Sequence, residues 1–156
     1  MGNNHRIPYK PKTPWIAKKY RLPEAQKQAL EDDVKAKLQS GILRYTSDIP
    51  LAASHMVAKS TPGTWRHVQD LRKRNADTES MSWPMPNQEE LVHSVARSSN
   101  ASVFDKSSAF DQTRVDPRDE KYTAIINHIG VLQQRTIQQV DKNVVAMQQR
   151  TMQFHL

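Results

Sequence analysis

Cysteine is absent from the 156-residue sequence, which excludes disulfide staples and thiolate metal sites. Aromatic residues make up only 6% and hydrophobic residues 37%. That is polar for a domain that folds on its own core, and it predicts either an incompletely buried core or a piece of a larger assembly. No apolar run approaches the roughly 18 residues of a membrane span, and the N-terminus lacks the apolar centre of a secretory signal. Gly2 is present, but Arg6 stands where a myristoylation signal requires Ser or Thr. No acidic residue precedes Glu24, and His55, His67, His93, His128 and His155 follow no zinc-site spacing.

What the chain does have is positive charge, a net +7 at neutral pH. A basic surplus favours polyanionic partners, nucleic acid above all, although a merely solvated basic surface gives the same number. Much of the charge lies in residues 1–21, "HRIPYKPKTPWIAKKYR" being typical, where Pro8, Pro11 and Pro14 forbid a continuous helix. This segment reads as an extended arm, disordered or laid across a surface. Its Tyr9, Trp15 and Tyr20 can stack on bases or pin the arm to its own domain.

From Leu22 the pattern changes. Pro23 and Glu24 suit a first helical turn. Leu30, Val34, Leu38 and Ile42 then recur every fourth residue, with Gly41 as a stop signal, which predicts a helix over 23–40 with a core-facing stripe. "SHMVAK", "STPG" and "TWRHVQDLR" read as strand, turn and strand. "KRNADTESMSWPMP" reads as a loop. Asn87 and Glu90 resemble a capping box, opening a helix of about 87–98 on which Leu91, Val92 and Val95 face one way. "ASVFD" reads as a strand, a short helix follows, "EKYTAIIN" and "VLQQRTIQQ" pair about a turn at His128–Gly130, and the last segment is a helix. The mixture is α+β, with no internal repeat.

Side chains two apart share one face of a strand, so Arg66, Val68 and Asp70 point together, joined by Arg72 if the strand persists. A hairpin offering Lys59, Arg66 and Arg72 suits a triphosphate, which needs several cations around it; a solvated basic hairpin is the plainer alternative. Asp105 ends the "ASVFD" run. It is either a carboxylate projecting from a strand tip or the N-cap of "KSSAFD". Phe110, taken alone, reads as a core ring, and Asp111, Asp116 and Asp119 as surface or turn residues.

The order of these pieces resembles the N-terminal part of reverse transcriptases from gypsy-type long-terminal-repeat retrotransposons, particularly the variants common in fungal elements. The resemblance is carried by "YRLP", "LQSGILRYTSDIPLAASHMVAK", "GTWRHVQDLRKRN", "SWPMPNQEELVHSVARSSNASVFD", "SSAFDQTRVDPRDEKYTA" and "IQQVDKNVVAMQQRTM", and it spans essentially everything after the arm. It implies an incomplete right-hand polymerase, with a basic Pro-rich arm at 1–21 and a truncated fingers and palm domain at 22–156. It also implies template-directed DNA synthesis, in which a primer 3′-hydroxyl attacks the α-phosphate of a dNTP on an RNA or DNA template–primer, using two divalent metals such as Mg²⁺. Asp105 matches the first metal-holding carboxylate. Lys59 and Arg66 match residues that clamp the triphosphate, and Arg72 joins that nucleotide-binding set while, with Trp65 and Asp70, it shapes the fingers. Phe110 matches the ring beneath the sugar, which excludes a 2′-hydroxyl, and Gln139 matches a glutamine beside the nucleotide. An intracellular location, cytoplasmic or nuclear, follows from the same resemblance.

The sequence departs from the family in two ways. The family's other metal carboxylates lie in a Tyr-x-Asp-Asp hairpin, whereas the Asp-Asp pair here is Asp32-Asp33, inside the first helix. One carboxylate cannot hold two Mg²⁺ ions in reacting geometry, so the expectation is a truncated, inactive fragment of marginal stability. A non-catalytic nucleic-acid-binding module and a gene relic without a selected role are the alternatives. The last matched block is also worn: Val140 replaces a Gly, Val145 a Pro and Gln148 an aromatic, and "VLQQRT" is polar where the family is apolar. These changes carry an expected cost in backbone strain and lost packing.

Overall fold

A computed structural model describes residues 4–13 and 15–155. Gly2, Pro14 and the side chains of Phe154 and His155 lie outside the description. The first helix, α1, runs Glu24–Gln39 and ends where Gly41 takes φ +71°, a conformation other residues adopt at a cost. Its stripe buries Leu30 and Val34 completely, with Leu38 at the edge. These side chains lie on a five-stranded sheet built from β1 (Leu43–Tyr45), β2 (Ala52–Ala58), β3 (Trp65–Asp70), β4 (Ala124–Ile126) and β5 (Val131–Gln134), in the order β1-β5-β4-β2-β3. Only β2 and β4 pair in parallel. Leu43, Ala52, Met56, Leu71, Ile125 and Leu132 complete this core beneath α1. Each large apolar side chain removed from water there contributes about 1.5–3 kcal/mol.

A second, smaller core joins the arm to the chain's end. Ile7, Val115, Ile137, Val144 and Met147 pack together, flanked by Tyr9, Met81, Phe110 and Tyr122. The arm is laid across the body. Asp119, in a turn, one of the two places expected for it, but buried, accepts from the backbone N–H of Ile7 at 2.7 Å and from Arg6 at 2.5 Å. His5 N donates to the Arg114 carbonyl, Lys10 N to that of Asp77 and Ala17 N to that of Pro50. The arm's rings pin it to the protein: Tyr9 packs on Tyr122, the Trp15 indole donates to the Leu51 carbonyl, and the Tyr20 hydroxyl donates to Asp70.

Three local expectations are corrected. The segment after β3 is not wholly loop, because Arg72–Ala76 forms a short helix, α2, with Arg74 fully buried. Helix α3, Gln88–Arg97, forms as expected, but Asn87 accepts from Glu89 N, not in a reciprocal bond with Glu90, and Leu91, Val92 and Val95 are exposed. "ASVFD" forms no strand. Val103 is 95% and Phe104 92% exposed. Strand preference is a preference for packing against a neighbouring strand, and among the described residues none pairs with this segment.

The polar sheet is explained by its partners. Gln69 Nε2 donates to Gln134 Oε1 at 2.7 Å, Gln138 Nε2 donates to Gln69 Oε1 at 2.6 Å, and Gln133 bridges Arg44 and Asp48. Amides placed where apolar side chains were expected are therefore hydrogen-bonded, which removes most of the penalty of burying them. Two other departures are absorbed as well. Val140 lies in an exposed turn with φ below zero, so no strain attaches to the missing glycine. Gln148 donates to the Ala109 carbonyl at 3.3 Å.

Candidate nucleotide and nucleic-acid site

The β2–β3 hairpin displays the cations. Gly63, at φ +74°, makes the turn, and Lys59 N donates to the Thr64 carbonyl to close it. Register pairs Val57 with Arg66 and Ala58 with Trp65. Trp65 and His67 turn toward α1 and the core, His67 meeting Asp33 at 2.6 Å. Alternation then puts Arg66, Val68 and Asp70 on the opposite face, as expected. Lys59 and Arg66 are exposed, and neither makes a salt bridge among the described residues.

Arg72 differs. The strand ends at Asp70, and Arg72 opens α2 with its guanidinium returned to that carboxylate through bonds of 2.9 and 2.7 Å. Arg72, and then the Tyr20 hydroxyl, hold the Asp70 carboxyl well below the usual carboxylate range, and Asp70 in turn raises Arg72. Arg72 thus braces the hairpin's base against the arm.

Phe110 lies in a 3₁₀ turn at Ala109–Gln112 and is half-buried against the second core. The preceding Ser108 is the one non-glycine residue with positive φ among those described, at 48°. Gln139 is exposed in a turn, while its neighbour Gln138 is buried. Asp105 is exposed on the unpaired segment. A Mg²⁺ pair needs several converging oxygens. Among the described residues no group of three or more carboxylates or histidines lies close enough together to hold a metal. The residues present do not fit a two-metal centre.

Arg74 is not singled out by the sequence reading. It stands in the basic run Arg72-Lys73-Arg74, yet it is fully buried, donating to Gln138, to Asp141 and to the Tyr122 carbonyl. Burial pushes its guanidinium pKa down, against the opposing pull of Asp141. Nearby, Asn75 donates to the Val140 carbonyl at 2.8 Å and Lys142 Nζ to that of Thr78 at 2.9 Å. The helix that follows the hairpin thereby fixes the turn carrying Gln139. No hydropathy pattern distinguishes one arginine of such a run, because its carboxylate partner lies 67 residues away.

No family model matches the sequence. The chain is 29% identical over 130 residues to the Tf2-3, Tf2-4 and Tf2-5 transposon polyproteins of Schizosaccharomyces pombe. The match covers 83% of this chain and 9% of each polyprotein. In structure it is similar to a foamy viral protease–reverse transcriptase solved with double-stranded DNA, with a TM-score of 0.77, 18% identity, and coverage of 96% of this chain and 25% of that one. The resemblance to retrotransposon reverse transcriptases thus holds in both sequence and fold, and the architecture is a partial polymerase fold. No helix among the described residues is long and apolar enough to cross a membrane.

Proposed function

We propose that this chain is the fingers and the beginning of the palm of an RNA-directed DNA polymerase from a gypsy-type retrotransposon, and that by itself it binds nucleic acid without copying it. The observation that carries the reading is the cationic hairpin, with Lys59 and Arg66 exposed and free of salt bridges among the described residues, on a sheet of reverse-transcriptase topology. Cations held on a rigid β-ribbon suit the phosphates of a dNTP or a template–primer. In this role Phe110 limits the space beneath a bound sugar, Gln139 borders the nucleotide, and Arg72 holds the hairpin's base rather than a phosphate. The domain reading keeps residues 1–21 as a basic arm on a fingers and palm unit of 22–156.

The proposed inactivity rests on the donor set. Asp105 is one exposed carboxylate, and the only Asp-Asp pair of the sequence lies in α1. Divalent metal serves such polymerases by activating the attacking oxygen and neutralising the developing charge; the described residues do not assemble a place for it.

The test has two arms. Primer extension on a heteroduplex with Mg²⁺ and dNTPs is expected to give no product. Product that disappears in Asp105→Asn would overturn the inactivity. Heteroduplex binding is expected at low salt, weakening steeply as salt rises, and Lys59→Ala with Arg66→Ala should reduce both the affinity and the salt slope. Binding that ignores salt, or ignores both substitutions, would sink the hairpin's role.

A further inference from the structure

Beyond the hairpin, the structure has a cleft of about 430 Å³ between the arm and the 48–51 loop. Tyr9, Trp15, Leu51 and Tyr122 form its apolar wall, and Ile16 and Ile49 stand on its rim at 61% and 58% exposure. We infer that this cleft is a docking site for an extended, proline-containing peptide with acidic flanks.

Three features select that occupant. The walls are preformed. The Trp15 indole is fixed by its bond to the Leu51 carbonyl at 3.2 Å, and the Tyr9 and Tyr122 rings meet at 5.1 Å with 54° between their planes. Rings so inclined make a wedge that suits a pyrrolidine or a branched aliphatic side chain, whereas a nucleobase wants a flat, open ring face. The arm also has spare backbone. Between the bonds made by Lys10 N and Ala17 N, residues Lys12, Thr13, Trp15 and Ile16 make no backbone–backbone hydrogen bond among the described residues. An extended peptide can use those groups.

The third feature is charge. Lys121 Nζ sits 5.1 Å from the centre of the Tyr122 ring and Lys73 Nζ 5.9 Å from that of Trp15. Lys12 lies exposed between Pro11 and Thr13 of the lining. The one carboxylate in the lining, Asp48, is engaged by Thr46 and Gln133 at 3.0 and 3.2 Å. The rim is therefore cationic and complements acidic flanks. It also repels the arm of a second copy, which is proline-rich but basic.

Fluorescence anisotropy tests this on the full chain. The probe is a labelled Glu-Glu-Pro-Pro-Leu-Pro-Glu-Glu peptide, compared with a version carrying Lys in place of Glu and with an oligothymidylate. The acidic peptide should bind saturably, and the lysine version about tenfold more weakly or not at all. Ile49→Glu should lose at least about tenfold in affinity and Lys121→Glu about fivefold. Both sites are exposed, so an unchanged melting curve shows that the fold is kept. Equal binding of the two peptides, or no effect of Ile49→Glu, would refute the site. Displacement of the peptide by oligothymidylate, with oligothymidylate binding itself weakened by Ile49→Glu, would reassign the cleft to nucleic acid.

Discussion

Removing the carboxylate that faces Arg74 breaks a fully buried ion pair. Arg74 has no solvent exposure, the Asp141 side chain is 3% exposed, and Arg74 Nε already lacks a hydrogen-bond partner. Asp141→Ala leaves a guanidinium in the interior with only Gln138 and the Tyr122 carbonyl as acceptors. Breaking one side of a buried pair costs about 3–5 kcal/mol. Asp141 also accepts from Asn143 N at 2.8 Å, and losing that bond adds to the loss. A domain of this size loses about 2–4 °C of Tm per kcal/mol, so the expected fall is about 6–20 °C by differential scanning calorimetry, a large share of a typical stability of about 5–15 kcal/mol. The double substitution Arg74→Leu with Asp141→Leu removes both charges and their desolvation, and should return to within about 2 kcal/mol of the original protein. A fall below about 2 °C for Asp141→Ala, or a double variant no better than the single one, would show that this ion pair does not anchor the turn.

Other changes probe separate links. Asp119→Ala frees Ile7 N and Arg6 together; it should cost about 2–3 kcal/mol and make the arm the first site of tryptic cleavage, and an arm that stays protected would count against the clasp. Ser108→Gly should stabilise by about 1 kcal/mol by relieving left-handed strain, read from a urea midpoint; destabilisation would mean that the serine side chain contributes more than the strain costs. His5 lies 3.0 Å from the Thr151 hydroxyl, and burial, with the nearby charge of Arg150, pushes its imidazole below the ordinary 6.5. Its stabilising contribution is thus fully present above about pH 6.5 and is lost as pH falls through the lowered folded value. The stability difference between the parent and His5→Gln should therefore shrink between pH 7.5 and 5.5, and a difference that does not change with pH would refute the linkage. Arg72→Ala, whose side chain is 88% exposed, should loosen the hairpin's base by under about 1 kcal/mol, and a larger loss would mean that this brace is worth more than a solvent-screened ion pair.

The sequence by itself determined the elements whose signals are local. A four-residue apolar stripe closed by Gly41 made α1, Pro-Gly at residues 62–63 made the β2–β3 hairpin, and the pairing about His128–Gly130 made β4 and β5. The shared face of Arg66, Val68 and Asp70 followed from strand alternation. Only the tertiary structure decided where polar side chains go. Gln133, Gln134, Gln138 and Arg74 are polar or charged, yet each is buried because a partner distant in sequence satisfies it. It also decided that Val103 and Phe104 stay exposed, since a strand needs a neighbour and a local run of residues cannot supply one. Periodicity is written in adjacent residues, whereas hydrogen-bond satisfaction of a buried group depends on what the folded chain brings to it.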